Sequence, residues 1–136
     1  MKTFEQNLEK LLQKGYSPEA AVTLSNSLAK LYNEKTFSGY PDAVKNNAKK
    51  GIELNEKVNN KCATQVGKVR ARQLSEGASL SLSTVKRMYS YLSRAETYYN
   101  PEDTKACGTI SYLLWGGKAG YRWSAKILKQ EGEIDK

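Results

Sequence analysis

Apolar residues recur at helical spacing in most of the chain, and this periodicity constrains the fold more than any other feature. Phe4, Leu8, Leu11 and Leu12 fall on one face of a helix, with charged residues between them. No stretch keeps the alternation of a half-buried strand, and no hairpin dipeptide separates two apolar runs. The sequence therefore predicts an all-α protein, a compact bundle of six or seven short helices.

Capping residues and helix breakers set the bounds of the predicted helices. Gly15 ends the first helix, and Ser17 caps the second, with Pro18 in its first position. Pro101 stops the fifth helix from continuing. The predicted helices cover residues 3–14, 18–34, Asp42 (as the cap) to about Val58, 64–75, Ser81 or Ser83 to Tyr99, the short apolar segment Cys107–Trp115, and 121–129.

The loop "TFSGYP" is the best candidate for a boundary within the chain. It separates an N-terminal helical hairpin (residues 1–40) from a main helical domain (residues 41–130), which a polar, frayed tail follows (residues 131–136). A chain of 136 residues can bury enough surface to fold without a metal ion or a disulfide.

Several classes of protein are excluded by composition. The longest apolar run, Ile110–Trp115, is far too short to span a membrane. The amphipathic N-terminus, which carries Glu5 and Glu9, is neither a secretory signal nor a transit peptide, so we expect a cytoplasmic protein. Cys62 and Cys107 could form a disulfide, but two thiols in a chain of this size are more often reduced and buried.

Catalysis is not expected from this composition. The chain has no histidine to serve as a base near neutral pH, and neither cysteine has a histidine partner. Glu53 and Glu56 lie among lysines and are expected to be solvated. We therefore predict no catalytic residue, no cofactor and no metal site.

The net charge of +8 is concentrated in the middle of the chain. Residues 42–94 hold eleven Lys and Arg against four acidic residues, whereas residues 95–136 hold six of each sign. Clustering of this kind favours an anionic partner more than an even excess would.

The predicted fourth helix carries Lys68, Arg70 and Arg72 in "GKVRARQLSEG". These alternate cations are candidate phosphate contacts, and Gly67 would allow the backbone to approach a ligand closely. Arg70 and Arg72 cannot share one helix face. The alternative is a solvated helix whose arginine stems cover apolar surface.

The predicted fifth helix combines cations with tyrosines. Lys86, Ser90 and Arg94 form one stripe, and Arg87 and Tyr91 lie on a neighbouring one. Such a face offers charge for phosphates and rings for stacking, and with the preceding helix it is loosely similar to a helix-turn-helix. The alternatives are a core helix with ordinary charged flanks and an internal ion pair of Arg94.

The stretch "SYLLWGGKAGYRW" (residues 111–123) is too apolar to be mostly exposed. Lys118 follows two glycines, but the required hydroxyl residue and the first glycine of a phosphate loop are missing, so a nucleotide-binding loop is rejected. We expect a core seam, in which a glycine hinge joins two buried helices and Trp123 anchors the second. Lys118 and Arg122 are candidates for its exposed rim.

The chain also resembles a small domain found in tailed-bacteriophage proteins, alone or beside head-maturation proteases and structural proteins. The similar segments are "AKKGIELNEK", "VGKVRARQLSEG", "LSLSTVKRMYSYLSRAE" and "GTISYLLWGGKAGYRW". Many relatives have Ser-Arg-His-Glu where this chain has Ser93, Arg94, Ala95 and Glu96, so any role of that histidine is lost here. The resemblance implies a phage setting, with the host cytoplasm as the expected location and the virion as the alternative, but no biochemical activity.

These observations predict a non-enzymatic phage-type protein that binds DNA or RNA, mainly by phosphate contacts. The predicted contacts are Lys68, Arg70, Arg72, Lys86, Arg87, Tyr91 and Arg94. One alternative is a virion or head-assembly accessory that docks on other phage structural proteins, and another is an inhibitor of a host protein. No membrane partner is expected, and the oligomeric state stays open.

Overall fold

A computed structural model describes residues 2–135, and within them the protein is all-α. Seven α-helices are connected by short loops, with one 3₁₀ turn at Glu96–Tyr98 and two strands of two residues each. The helices are α1 (Phe4–Gln13), α2 (Pro18–Leu31), α3 (Asp42–Lys57), α4 (Gln65–Ser75), α5 (Leu82–Ala95), α6 (Cys107–Leu114) and α7 (Gly117–Gln130), and the strands are β1 (Thr36–Phe37) and β2 (Leu80–Ser81). The ends of the predicted hairpin and tail at residues 1 and 136 lie outside the described residues.

Local capping explains where the first two helices begin. The Thr3 hydroxyl accepts a hydrogen bond from the Gln6 amide, and the Gln6 side chain accepts one from the Thr3 amide, which completes a capping box for α1. The Ser17 hydroxyl caps α2 by accepting from the Ala20 amide at 3.2 Å. Gly15 has a φ of +92°, which suits the predicted C-terminal stop of α1.

Several predicted helix ends differ from the structure, and α2, for example, ends at Leu31 and not at residue 34. Pro41 is the N-cap of α3, and Asp42 is its first helical residue, where a carboxylate favours the helix dipole without capping it. Helix α5 ends at Ala95 and not at Tyr99, because the chain tightens into the 3₁₀ turn. Helix α7 begins at Gly117, four residues earlier than predicted.

One core runs through the main part of the molecule. Helix α5 packs along α7, and α3 packs against both α4 and α6. The buried side chains at its centre include Val44, Leu74, Val85, Met88, Leu92, Ile110, Leu114 and Trp123.

The predicted core seam is confirmed. Gly116 has a φ of +107° and turns the chain sharply between the buried helix α6 and the start of α7. Gly51 of α3 lies against this turn, since a Cβ there would stand 2.7 Å from the Leu114 nitrogen. Trp115 and Trp123 are both buried, so the seam is a packing feature of the core.

A small second core joins the N-terminal hairpin to the rest of the chain. Phe4, Leu8 and Ala21 pack with Val69 of α4. The Glu34 carboxylate accepts hydrogen bonds from the Phe4 amide at 3.0 Å and from the Ser83 amide of α5 at 3.3 Å. The division of the chain at residue 41 stays a prediction.

One pair of two-residue strands accompanies the helices of this all-α fold. Strands β1 and β2 pair antiparallel, with Thr36 opposite Ser81 and Phe37 opposite Leu80. Two residues are too few to show an alternating pattern in the sequence. The pair fixes the segment after α2 against the residues that precede α5.

The expectation of two reduced cysteines is wrong. Cys62 and Cys107 form a disulfide that links the loop before α4 to the first residue of α6. The sequence could not show this, because the fold brings together two residues that are 45 positions apart. Disulfides persist mainly in oxidising compartments, so this bond argues against a reducing cytoplasm. The cytoplasmic localisation stays a prediction.

Three residues of the tail contact the body of the molecule. Glu131 forms an ion pair with Lys35 at 2.8 Å, Glu133 forms one with Lys86 at 3.0 Å, and Ile134 packs on the main core. The predicted fraying of the tail stays a prediction. Across residues 2–135, no helix is long and apolar enough to cross a bilayer.

Candidate nucleic-acid interface

Arg70, a predicted phosphate contact, is completely buried and cannot reach a phosphate. Its exposed fraction is 0%, its guanidinium forms an ion pair with Glu5, and it donates to the Gln73 side chain at 2.6 Å. The guanidinium carbon also lies 5.1 Å from the centre of the Trp115 ring. Burial lowers the pKa of Arg70, and the Glu5 carboxylate opposes that shift. Arg70 therefore holds α1 against α4.

The other two candidates on α4 lie on its outer surface. Lys68 and Arg72 are exposed one turn apart, beside the groove between α4 and α2. Arg72 forms an ion pair with Glu19 of α2 at 2.6 Å. A hydrogen bond from Arg72 lowers the pKa of Glu19. A phosphate would therefore have to compete with this carboxylate for Arg72.

Two of the α5 candidates are paired in the same way. Arg87 forms an ion pair with Glu9 of α1 at 2.5 Å, and Lys86 pairs with Glu133 of the tail. We call Arg70, Arg72, Lys86 and Arg87 the paired cations. Three of their four carboxylate partners, Glu5, Glu9 and Glu19, come from the N-terminal hairpin.

Tyr91 and Arg94 differ in their availability. The Tyr91 ring is half-buried and stacks on Trp115, with 4.6 Å between the ring centres. Burial raises the pKa of Tyr91, and a hydrogen bond with Ser111 acts in the opposite direction. Arg94 is exposed and donates to the Ser90 hydroxyl at 2.8 Å. Within the described residues Arg94 forms no ion pair with Glu96 or another acid, so it is a candidate contact. The Tyr91 ring, in contrast, packs mainly against the protein itself.

A second group of cations lies on α7, and we call it the α7 basic face. Its members are Lys118, Arg122, Lys126 and Lys129, spaced at i, i+4, i+8 and i+11 and all exposed. Helix α7 contains no acidic residue. None of the four cations forms an ion pair with any carboxylate among residues 2–135.

An aromatic pair borders the α7 basic face. The rings of Tyr89 on α5 and Tyr121 on α7 are stacked, with 5.4 Å between centres and 14° between planes. They line an open cavity together with Arg122, Lys126 and Lys129. A hydrogen bond with Tyr89 raises the pKa of Tyr121. The site thus combines cations with flat apolar surface, as nucleic-acid-binding proteins do.

Lys126 and Lys129 were missed as site residues in the sequence. Residues 95–136 carry no net charge because Glu96, Glu102, Asp103, Glu131, Glu133 and Asp135 balance the cations. All six acids lie outside α7, so a charge count taken helix by helix would have revealed the face. The predicted helix also began at Tyr121, which left Lys118 outside it.

No protein-family model, curated protein or solved structure matches the chain.

Proposed function

We propose that the protein is a non-enzymatic nucleic-acid-binding protein whose main phosphate contacts are on the α7 basic face. The observation that carries this proposal is the row of four exposed cations that no carboxylate in residues 2–135 neutralises. When such cations contact a phosphate backbone, they displace the counterions that are condensed on it, and the release of these counterions favours binding.

The dimensions of the face suit a nucleic-acid backbone. Eleven residues separate Lys118 from Lys129, which is about 16 Å along the helix axis. This length corresponds to the rise of roughly five nucleotides of one strand. Tyr89 and Tyr121 would supply stacking surface beside that track, which favours unpaired bases of DNA or RNA.

The exposed candidates from α4 and α5 have a secondary place in this proposal. Lys68 and Arg94 would add contacts if the nucleic acid extends beyond α7, while Arg72, Lys86 and Arg87 would first have to leave their carboxylates. The phage setting and the virion or cytoplasmic location are part of the proposal, and the resemblance of the four segments to the phage domain supports them.

Salt dependence of binding tests the proposal. We would measure fluorescence anisotropy with a labelled random 20-base-pair duplex and the matching single strand at 50 and 200 mM salt. Four phosphate contacts predict a log–log salt slope of about −3.6 on the duplex, hence a fall in affinity of about 150-fold between those concentrations. The double variant R122Q/K126Q should halve the slope, to about −1.8.

A matched control separates the face from net charge. The variant K49Q/K50Q removes two exposed lysines from α3 and changes the net charge equally. It should keep a slope close to that of the unchanged protein. Equal losses in both variants would assign binding to overall charge, and no binding at 50 mM salt would reject the proposal.

A virion or head-assembly accessory is the second candidate, and the outer surface of the hairpin favours it. Leu24 and Leu31 of α2 are exposed, Leu31 by 71%, and Tyr16 and Tyr32 are exposed at its two ends. Exposed apolar residues grouped in this way are typical of protein docking surfaces. Binding to a phage structural protein through this surface would change little between 50 and 200 mM salt.

A further inference from the structure

A second cavity, of about 580 Å³, opens where α1, α4, α5 and α6 meet. It shares no lining residue with the cavity beside the α7 basic face. Its walls include Leu12, Val66 and Leu114, together with the stacked rings of Tyr91 and Trp115. The disulfide fixes one side, because Cys62 lines the cavity and its carbonyl accepts a hydrogen bond from Ser111 at 2.8 Å.

The first turn of α4 presents free donors to this cavity. Thr64 caps the helix by accepting from the Gly67 amide at 3.0 Å. The amides of Gln65 and Val66 have no acceptor among residues 2–135, and both residues line the cavity. The turn contains no acidic residue to offset the positive end of the helix dipole.

The indole of Trp115 provides a separate indication of a ligand. Trp115 is only 6% exposed, and its Nε1–H has no acceptor within the described part of the chain. This nitrogen lies beside the first turn of α4, since a Cβ on Gly67 would stand 3.6 Å from it. The nitrogen itself keeps some exposure and Trp115 lines the cavity, so the indole N–H is free to donate to an acceptor that a ligand supplies there.

Charges around the cavity are compatible with an anion. Arg87 lines it and is paired with Glu9, so the charged side chains at its edge are balanced before a ligand arrives. The guanidinium of Arg70 lies 5.1 Å from the Trp115 ring centre, and its partner is Glu5. An entering carboxylate or phosphate would meet the helix terminus and could share Arg87 with Glu9.

We propose that this cavity binds a small organic anion, a carboxylate or phosphate monoester on a planar apolar body. The anionic oxygens would accept hydrogen bonds from the Gln65 and Val66 amides and from the Trp115 indole. The apolar body would lie against Leu12 and Leu114. This site is independent of nucleic-acid binding by the α7 basic face.

Titration of the ¹⁵N-labelled full chain by NMR tests the site directly. The probes are phenyl phosphate and phenylacetate, which distinguish the two anionic groups, with benzyl alcohol as the neutral analogue. Either anion should shift the Trp115 indole N–H and the Gln65 and Val66 amides while the Trp123 indole stays unmoved. The neutral analogue should bind at least about 10-fold more weakly, because an ionised acceptor makes the stronger hydrogen bonds.

Gly67→Ala gives a variant that should fold but should bind poorly. The new Cβ would stand 3.4 Å from the Thr64 hydroxyl and 3.6 Å from the Trp115 indole nitrogen, which are ordinary contacts. The melting temperature should rise, because alanine replaces glycine within a helix. The methyl group would fill the space between the indole and the helix turn, so the affinity for the bound anion should fall by about 10-fold or more.

Ser75→Ala, at the other end of α4, is the matched control and should leave the affinity unchanged. The proposal is overturned if neither anion shifts the three N–H signals, if benzyl alcohol binds as well as the anions, or if Gly67→Ala binds like the unchanged protein.

Discussion

The paired cations and the α7 basic face contain the same residue types at similar helical spacing, yet only the α7 basic face is electrostatically open. Helices α4, α5 and α7 contain cations and no acidic residue. On α4 and α5, four of six cations meet a carboxylate from the hairpin or the tail. On α7 none of the four does within residues 2–135. Charge along a sequence therefore says little about charge available to a partner.

The difference follows from what each helix packs against. Helix α1 contacts α4 and α5, and α2 contacts α4, so the acidic residues of the hairpin are brought to those two helices. Helix α7 packs on α5 and α3 through Trp123 and Leu128, which leaves its basic side free. The three glutamates of the hairpin therefore pair with cations that were expected from the sequence to be available to a phosphate.

The largest effect should come from breaking the buried ion pair between Glu5 of α1 and Arg70 of α4. Glu5→Ala would leave the guanidinium of Arg70 buried without a carboxylate, which should lower the free energy of unfolding by about 3–5 kcal/mol. The Arg70 Nε already has no hydrogen-bond partner among the described residues, so little compensation is at hand. Urea unfolding followed by circular dichroism measures the change.

The double variant Glu5→Leu with Arg70→Met is the control for this prediction. It removes both charges and keeps the volume apolar, so it should recover much of the lost stability. Glu19→Ala, which breaks the exposed pair with Arg72, should change stability far less. Equal destabilisation by Glu5→Ala and Glu19→Ala would show that Arg70 is not held as the structure indicates.

A smaller effect should appear at high pH, because Tyr40 connects the two regions. Its ring meets Trp123 of α7 edge-on at 5.1 Å, and its hydroxyl donates to the Gln73 and Ala78 carbonyls at the end of α4. Burial raises the pKa of Tyr40 to about 12. The protonated Tyr40 hydroxyl therefore adds about 2–3 kcal/mol to the free energy of unfolding. This stabilisation is complete below pH 10, where the unfolded side chain is still protonated, and it is lost as the pH rises to 12.

Urea midpoints measured between pH 8 and 12 test this, with Tyr40→Phe as the comparison. The variant starts less stable, because the Ala78 carbonyl loses its donor while the Gln73 carbonyl keeps the Ala78 amide, but its stability should fall less steeply above pH 10. Some slope should remain, because burial also raises the pKa of Tyr91 and Tyr112. Parallel curves for the two proteins would mean that the Tyr40 hydroxyl is not buried in solution.

Local features of the fold were predictable because they depend on neighbouring residues. The Ser17 cap, the Gly15 stop and the apolar periodicity gave the hairpin and most helix positions. The burial of Trp115 and Trp123 followed from their apolar surroundings in the sequence. Helix ends were less accurate where a 3₁₀ turn or a left-handed glycine decided them, as at Ala95 and Gly116.

The candidate site was only partly predictable because its charges are set by tertiary contacts. Arg70 and Arg72 look equivalent in "VRARQ", but one is buried on Glu5 and the other lies on the surface. Cys62 and Cys107 show the same limit, since their pairing depends on how α3 and α6 pack. Lys118 and Arg122 were named from the sequence, whereas Lys126 and Lys129 were hidden by the balanced charge of residues 95–136, whose acidic residues all lie outside α7.

The smallest effect should come from uncovering the paired cations without disturbing the fold. Glu9→Gln with Glu19→Gln keeps the size of both side chains and releases Arg87 and Arg72 from carboxylates. If these cations lie within reach of a bound strand, affinity for the 20-base-pair duplex at 50 mM salt should rise by about 3- to 10-fold. Glu53→Gln with Glu56→Gln makes the same charge change on α3 and should have a smaller effect. An equal rise in both variants would mean that Arg72 and Arg87 do not contact the nucleic acid and that the α7 basic face is the whole interface. The hairpin glutamates would then serve only to attach α1 and α2 to the rest of the protein.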